Sequence, residues 1–428
     1  MQRPTTQRHL LVVAAYDSQL KWAVGLAREF PSDEWTWTVA APSDYRTALS
    51  SDQIAAIGCP EPELLAWADL LAAARTADCV VLALQGQLVE RFTDELALLR
   101  RAEPADREPV IVTGWVGIVI EKLVAGYLDR AGSDLVAVNS ADNLREFENA
   151  ARLLGLPLDN LLLTGLPLLP ARPAARREGP IQTVVFADQP TIPTQRWDRA
   201  YVYQRLIDYA TAHPERRVLL KPRHRPWEST FHRMDHHPEQ VLAELPKPPS
   251  NFALTYEPIT ELLPSTDLML TVSSTAGLEA VAAGVRTAFI ADLGVHEKHG
   301  NQVLLNSGLI TTFDDLIADR VPNPQQAWLD DVFVSVDELT PGQRVVKRVG
   351  ELLELPIQQR PGVAVTQGSY VAGRLAIRQL RARLPQAARV PDAPGGNQSF
   401  KGQVRARLGL LARALLPMSL VRRLGSRY

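Results

Sequence analysis

The chain has 428 residues, 46% of them hydrophobic and 22% charged, and its formal net charge at pH 7 is −2. This length exceeds what one hydrophobic core ordinarily holds and predicts two domains. The nearly neutral charge argues against a general nucleic-acid binder. Two cysteines, Cys59 and Cys79, offer neither a disulfide framework nor zinc-ligand spacing, which favours a reducing cytoplasm. The apolar run Leu10–Ala15 is too short to span a membrane and predicts a first strand.

Short apolar segments alternate with helical patterns through residues 1–165. The predicted strands are Leu10–Ala15, Trp35–Ala40, Asp78–Leu84, Pro109–Thr113, Asp134–Asn139 and Leu161–Thr164. The predicted helices are Gln19–Phe30, Glu63–Ala74, Glu90–Arg101, Ile118–Arg130 and Asn143–Leu154. This alternation predicts βαβ units and a parallel sheet in an N-terminal Rossmann-like domain. Residues 166–180 are rich in proline and arginine and predict a linker.

A second alternating set occupies residues 181–335. Its predicted strands are Ile181–Phe186, Val218–Lys221, Asn251–Thr255, Asp267–Val272 and Arg286–Ile290. Its predicted helices are Gln195–Ala212, Pro238–Leu245, Ile259–Leu263 and Ala276–Ala283. We therefore expect an α/β protein with two doubly wound Rossmann-like domains and a cleft between the carboxyl ends of their strands.

Residues 336–428 show a helical pattern, with amphipathic segments at Ser369–Leu384 and Val404–Leu424. The tail Lys401–Tyr428 holds seven Lys or Arg residues and no Asp or Glu, with leucines interleaved. Such a basic amphipathic tail suits the surface of an anionic membrane. A helix that packs across the two domains with its arginines solvated explains the pattern equally well.

The most informative segment is Thr271–Phe289, which predicts a strand, a hydroxyl-rich turn, a helix, a glycine and a second strand. Ser273, Ser274 and Thr275 lie at the helix N-terminus, where free N–H groups and the helix dipole can hold an anion. Glu279 follows one turn later, within reach of a sugar hydroxyl on the same ligand. An ordinary N-cap or capping box would produce the same local pattern.

A basic segment follows an earlier predicted strand. Lys221, Arg223, His224 and Arg225 stand where Val218–Lys221 ends, and ligands bind at strand ends in open α/β sheets. Three cations and a histidine within five residues suit a phosphate better than a packed core. A solvated loop would account for them too. Together the two motifs predict a pocket for a nucleoside monophosphate or diphosphate.

The two motifs together resemble the C-terminal domain of two-domain GT-B glycosyltransferases. Similar bacterial types are sialyltransferases, capsule polysaccharide transferases and CDP-glycerol glycerophosphotransferases, which carry a His-Pro motif and a Ser-Ser or Ser-Thr motif. This chain has His-Arg-Pro in place of His-Pro. Residues 8–320 also resemble a bacterial GT-B family described as glycosyltransferases, in which an Asp-Ser-x-Leu-Lys-Trp run, here residues 17–22, precedes the same motifs.

The resemblance implies roles for individual residues in the donor site. His224 would contact the donor phosphate and ease departure of the nucleotide, with Lys221 and Arg223 beside it. The hydroxyl residues Ser273–Thr275 would bind the same phosphate, and Glu279 would hold the ribose. Hydroxyls, cations and a helix N-terminus stabilise the charge of a departing phosphate. We therefore expect neither a metal nor a cofactor.

An inverting transferase also needs a carboxylate that takes the acceptor proton. The resemblance places this base in the N-terminal, acceptor-binding domain. Asp17, just after the first strand, is the first candidate, and a role as N-cap of the helix Gln19–Phe30 is the alternative. Glu121 and Asp129, which follow the turn at residues 114–117, are the other candidates.

Further residues could line the cleft. Trp115 could stack on a sugar. His296, His299 and Asn301 follow the strand Arg286–Ile290 and could touch donor or acceptor, although a polar surface loop is the alternative. The histidine-rich run at residues 232–237 has the composition of a polar loop, so we expect no metal site there.

These patterns lead us to expect a cytoplasmic, inverting, metal-independent glycosyltransferase, peripheral at the inner membrane face if its tail binds lipid. It would move a sugar or polyol phosphate from a nucleotide donor, CMP- or CDP-linked by resemblance, to a cell-envelope glycan or glycolipid. Two alternatives stay open. A nucleotide-sugar 2-epimerase shares the two-domain fold and needs no acceptor, and a catalytically silent, membrane-associated protein could assist an envelope polysaccharide synthase.

Overall fold

The computed structural model describes residues 7–383 except residues 46, 48, 50–53, 56, 120–122, 228–233 and 335–336. Within these residues, the first sheet contains seven parallel strands in the order β3-β2-β1-β4-β5-β6-β7. The strands are β1 (Arg8–Ala14), β2 (Trp35–Pro42), β3 (Glu63–Leu65), β4 (Cys79–Ala83), β5 (Val110–Gly114), β6 (Leu135–Val138) and β7 (Leu161–Leu163). The helices of this part are α1 (Asp17–Ala27), α2 (Trp67–Arg75), α3 (Gly86–Ala102), α4 (Leu123–Leu128) and α5 (Ala141–Leu154).

The second sheet repeats this winding with six parallel strands among the described residues, in the order β10-β9-β8-β11-β12-β13. The strands are β8 (Thr183–Ala187), β9 (Arg217–Lys221), β10 (Phe252–Leu254), β11 (Leu268–Thr271), β12 (Arg286–Ile290) and β13 (Ile310–Thr311). The helices are α6 (Arg196–Ala212), α7 (Pro238–Leu242), α8 (Ile259–Leu262), α9 (Thr275–Ala282) and α10 (Phe313–Ile317). Both strand orders reverse next to the first strand of the set, which confirms the prediction of two doubly wound, Rossmann-like domains.

The remaining helices are α11 (Gln326–Val332), α12 (Pro341–Glu354), α13 (Pro361–Gln367) and α14 (Ser369–Arg383). Helix α12 returns to the first sheet, where Val345, Val349 and Leu352 join the core that also contains Leu10 and Val12. Both sheets belong to one compact unit that ends at Gly373, and a second unit begins at Arg374. The predicted basic tail, 401–428, lies outside the described residues.

Strand β1 shows why alternate apolar residues produce a buried parallel sheet. Leu10 and Val12 face a core that contains helix α1, and Leu11 and Val13 face a separate core that contains α2 and α3. Successive side chains of a strand point to opposite faces. A continuous apolar run therefore requires helices on both faces of the sheet.

The predicted helix Glu63–Ala74 is wrong at its start. Residues Glu63–Leu65 form an edge strand that pairs with the end of β2, and the helix begins only at Trp67. The edge of β2 offers unpaired backbone groups that favour a strand there over another helical turn. The two-residue strand β13, which pairs with β12, was not predicted.

The segment predicted as a linker packs against the second sheet's helix α9. Leu166 and Leu169 lie in one apolar cluster with Leu278 of that helix. The N–H of Ala174 donates to the Ala282 carbonyl at 2.8 Å. These contacts fix α9 beside the chain that joins the two sheets.

Gly284 lets the linker pass close to the turn after α9. It has φ +72°, a conformation that favours glycine. Any Cβ at this position would collide with the carbonyl oxygen of Ala175.

Candidate functional site

The basic segment and the hydroxyl-rich turn both follow strands that end on the same side of the second sheet. Lys221 pairs with Ala187 of β8, and the Thr271 hydroxyl donates to the Ala187 carbonyl at 2.8 Å. Strands β9, β8 and β11 therefore end at the same level. Neighbouring strands lie about 4.8 Å apart, which separates the ends of β9 and β11 by about 10 Å. This is the edge at which the sequence predicted a phosphate pocket.

The three hydroxyls before α9 have different surroundings. Ser274 is the N-cap of the helix and accepts the Ala276 N–H at 3.2 Å. Ser273 is buried, and its hydroxyl donates to the His299 carbonyl at 2.7 Å. Thr275, the first helical residue, is half-buried, and its hydroxyl has no hydrogen-bond partner among the described residues. Capping therefore accounts for Ser274, and Thr275 keeps a hydroxyl available at the helix N-terminus.

Gln189, which the sequence analysis missed, organises this turn from the end of β8. Its Oε1 accepts the Ser273 N–H at 2.9 Å, and its Nε2 lies 3.2 Å from the Ser273 hydroxyl. Only the pairing of β8 with β11 brings these two segments together. A polar residue within three positions of the end of a predicted strand was the one signal that could have identified Gln189.

A buried ion pair holds the loop that carries Gln189. Arg199 of α6 donates to both carboxylate oxygens of Asp188, at 2.9 and 3.2 Å, and the Tyr203 hydroxyl lies 2.9 Å from the same carboxylate. Arg199 also donates to the carbonyls of Gln189 and Pro190, at 2.5 and 2.6 Å. Loop and helix are thus joined by charge-assisted hydrogen bonds out of contact with water.

The basic segment presents one buried histidine between exposed arginines. His224 is only 6% exposed, whereas Arg223 and Arg225 are exposed, and Arg225 lies 4.6 Å from the ring centroid of Tyr256. The Nδ1 of His224 lies 2.9 Å from the Arg225 carbonyl, and its buried Nε2 has no hydrogen-bond partner among the described residues. A carbonyl only accepts, so Nδ1 carries the proton and Nε2 of the neutral ring is an acceptor. Lys221 is half-buried, and its ammonium donates to the Pro222 carbonyl at 3.2 Å.

The loop after β12 is braced against this turn. Asn301 is buried, and its side chain accepts the His296 N–H at 3.0 Å and donates to the Gly294 carbonyl at 3.2 Å. His299 is buried, and its carbonyl accepts the Ser273 hydroxyl. Burial and the neighbouring Lys298 lower the pKa of His299. His296 is exposed and caps the short helical turn that follows it.

The loop after β5 of the first sheet meets the N-terminus of α9. The Asn139 amide donates to the Gly117 carbonyl at 2.8 Å. Gly117 lies so close to Thr275 that a Cβ built on it would stand 2.7 Å from the Thr275 hydroxyl oxygen. This contact brings the carboxyl ends of the two sheets together at the residue whose hydroxyl is available.

Arg130 fixes the start of the same loop. It donates to the Gly114 and Gly126 carbonyls at 3.0 and 2.9 Å, and burial lowers its pKa to about 10. The Trp115 ring stacks on Phe147 at a centroid distance of 4.9 Å, and the Arg130 guanidinium lies 4.5 Å from its centroid. Trp115 is therefore packed against protein groups, and stacking on a sugar stays a prediction.

Asp17 is the first residue of α1 and is 8% exposed. The N-cap is Tyr16, without a side-chain capping bond, so Asp17 is not the cap that the sequence suggested as an alternative. Lys21 follows one turn later, on the same helix face. Its ammonium lies 3.8 Å from the Glu279 carboxylate of α9. Asp17 thus stands one helical turn from a residue that contacts the candidate donor helix.

The other candidate bases are placed differently. Asp129 packs against Gly86 at the start of α3, where a carboxylate stabilises a helix N-terminus. Glu121 and His232 lie outside the described residues. The ring nitrogens of His237 bind the backbone at His224 and Glu239. The described part of the chain contains no group of three or more His, Cys, Asp or Glu residues able to hold a metal ion.

Comparison with known proteins gives a family and a set of solved structures. UDP-GlcNAc 2-epimerase from Methanocaldococcus jannaschii is 9% identical, with a TM-score of 0.49, over 81% of this chain and 99% of that chain. UDP-GlcNAc 2-epimerase from Neisseria meningitidis, bound to UDP-GlcNAc, is 12% identical, with a TM-score of 0.46, over 87% and 99%. MurG from Acinetobacter baumannii is 12% identical, with a TM-score of 0.44, over 80% and 99%.

No match was found among curated proteins. No helix within the described ranges is long and apolar enough to cross a membrane. The sequence pattern of one protein family matches residues 10–352, which include helix α9 and all of both sheets except the first two residues of β1. The chain belongs to this family, whose description is "Putative glycosyltransferase (DUF6716)".

Proposed function

We propose that this protein transfers a sugar, or a related polyol phosphate, from a nucleotide donor whose phosphate binds at the N-terminus of α9. The observation that carries the proposal is the position of Thr275. Its hydroxyl is available at a helix N-terminus, at the point where the loop after β5 meets the second sheet. The positive end of the helix dipole favours phosphate at such a position.

The residues around this point suit the departure of a nucleotide. Charge develops on the phosphate oxygens as the bond to the sugar breaks, and fixed donors lower the barrier. Thr275 would donate directly, and Lys221 and Arg223 would supply positive charge from the end of β9. His224 can donate from Nε2 only when both ring nitrogens carry protons, because Nδ1 binds a carbonyl. Ser273, held by Gln189 and His299, would shape the turn and leave the phosphate contact to Thr275.

The other functional groups would come from both sheets. Glu279 would accept hydrogen bonds from the donor ribose. Asp17, one turn from Lys21 on the same face of α1, would take the proton of the acceptor hydroxyl, which gives inversion at the sugar. With protein cations around the phosphate, we propose a reaction that requires no metal.

The resemblance to sialyltransferases and CDP-glycerol glycerophosphotransferases supports a CMP- or CDP-linked donor. By the same resemblance, the acceptor would be a glycan or glycolipid of the cell envelope, reached from the cytoplasm. The basic residues of Lys401–Tyr428 support peripheral contact with an anionic membrane.

The first experiment is a thermal-shift and calorimetric screen against CMP, CDP, UMP, UDP, GDP and ADP, with and without EDTA. A nucleotide that binds the folded protein raises its melting temperature. We expect a shift with one base, unchanged by EDTA and reduced in Thr275→Val, which keeps the shape but removes the hydroxyl. Thr36→Val is the matched control, because Thr36 lies in β2 near the amino end of the first sheet. Binding by none of the six nucleotides would contradict the donor site.

Product analysis with the matching nucleotide sugar then separates the reactions. Transfer to an added envelope glycan or glycolipid, with loss in Asp17→Asn at unchanged nucleotide affinity, is the expected result. Release of an epimerised sugar without an acceptor would establish the 2-epimerase instead. Nucleotide binding without turnover of any sugar donor would favour the silent partner of an envelope synthase.

A further inference from the structure

We propose that Lys21, on the first sheet's helix α1, is a ligand of the donor phosphate and that Glu279 holds it until the donor binds. The inference rests on the proposed function, since it assumes a phosphate at the N-terminus of α9. It adds a phosphate contact from the acceptor-binding domain to a site otherwise built on the second sheet.

The ion pair itself is poorly suited to a purely structural role. The Lys21 ammonium lies 3.8 Å from Glu279 Oε1, and the Lys21 side chain is 43% exposed. Exposed pairs at such distances add little to stability. Glu279, by contrast, is only 17% exposed, so most of its side chain is shielded from water. The pair keeps a largely buried carboxylate neutralised in the absence of ligand.

The distances allow an exchange without movement of α1. Glu279 stands four residues after Thr275 in α9, and a rise of 1.5 Å per residue separates them by about 6 Å along the axis. A lysine side chain has four flexible methylene groups. Rotation of this stem can carry the ammonium from Glu279 towards an anion beside Thr275.

Charge balance favours movement of the Lys21 ammonium from Glu279 to the phosphate once the donor binds. A donor whose ribose hydroxyls donate to Glu279 satisfies that carboxylate and adds a negatively charged phosphate nearby. Lys21 then gains a stronger partner than the one it leaves, because phosphate oxygens accept strong charge-assisted hydrogen bonds. Lys221 and Arg223 would contact the phosphate from the second sheet and Lys21 from the first. The bound phosphate would thereby link the two sheets.

The test compares nucleosides with their diphosphates by calorimetry, using cytidine against CDP and uridine against UDP. The measured quantity is the phosphate increment, the ratio of the nucleoside Kd to the diphosphate Kd. In Lys21→Met, which keeps the stem, we expect the increment to fall about tenfold and nucleoside affinity to stay the same. Lys247→Met is the control for charge, since Lys247 is exposed in the loop after α7.

Glu279→Gln should change the phosphate increment in the opposite direction. Nucleoside affinity should fall because the ribose loses its carboxylate. The phosphate increment should rise about threefold, because Lys21 no longer has to leave an ion pair. A purely structural bridge predicts something else: each substitution would then change nucleoside and diphosphate affinity alike and leave the phosphate increment unchanged.

The outcomes separate this inference from the proposed function. Wild-type binding of CDP or UDP with an unchanged increment in Lys21→Met would overturn the role of Lys21 and leave the donor site standing. Absence of wild-type binding by CDP, UDP and the other four screened nucleotides would overturn the donor site and, with it, the role of Lys21.

Discussion

Replacement of Gly117 by alanine tests the contact on which the candidate site depends. Gly117 is not among the described glycines with positive φ, so alanine can adopt its backbone conformation. The new methyl would stand 2.7 Å from the Thr275 hydroxyl oxygen, and the next atom, Thr275 Cβ, lies at 3.9 Å. The substitution therefore perturbs one atom, the Thr275 hydroxyl oxygen of helix α9.

The expected loss of stability follows from this geometry. Overpacking by one methyl costs about 1–3 kcal/mol. Thr275 can rotate about χ1, since threonine in a helix has two accessible rotamers. We therefore expect Gly117→Ala to lower the free energy of unfolding by about 1 kcal/mol, the low end of this range. The same rotation takes the hydroxyl away from the proposed phosphate, so nucleotide affinity should fall as well.

The assay is a double-mutant cycle by urea unfolding, followed by tryptophan fluorescence. Thr275→Ala removes the colliding oxygen, so the double variant should recover about 1 kcal/mol relative to the sum of the single changes. Gly350→Ala is the control, because Gly350 lies in α12 with no atom within 4 Å of an added Cβ. That control should be neutral or more stable than the wild type. Additive effects of the two site substitutions would refute the reasoning.

Three further predictions concern groups around the turn that precedes α9. Gln189→Glu keeps an acceptor for the Ser273 N–H but adds a negative charge. The free energy of unfolding should therefore change little, whereas the affinity for CDP or UDP should fall about tenfold. An unchanged affinity in calorimetry would count against an anion at this turn. Arg199→Leu leaves Asp188 buried without its cation, so the free energy of unfolding in urea should fall by about 3–5 kcal/mol. A double variant that also carries Asp188→Leu should be more stable than this single variant. Burial lowers the pKa of His299, so its contribution to stability is complete above the unfolded value of 6.5 and is lost as the pH falls below it. The slope is at most about 1.4 kcal/mol per pH unit, and His299→Gln should flatten the dependence of the urea midpoint on pH between 5 and 7.5.

The sequence alone predicted the two doubly wound sheets and placed the candidate site at the carboxyl end of the second one. Apolar strands and amphipathic helices alternate along the chain. This pattern is local, so it can be recognised without knowledge of distant contacts. The helix N-terminus at Ser274 was equally readable, because a cap depends on residues within one turn. The strand Glu63–Leu65 was missed for the opposite reason, since its pairing with β2 is tertiary.

Within the site, the sequence supplied candidate residues, and only the tertiary structure decided their partners. Three adjacent hydroxyls were equivalent in the sequence. Gln189 and His299, from the loops that follow β8 and β12, engage Ser273 and leave Thr275 available. The ion pair between Lys21 and Glu279 joins different sheets, and no local pattern encodes it. Hydrophobic periodicity specifies elements, whereas the placement of polar groups depends on which strand ends become neighbours when the sheets wind.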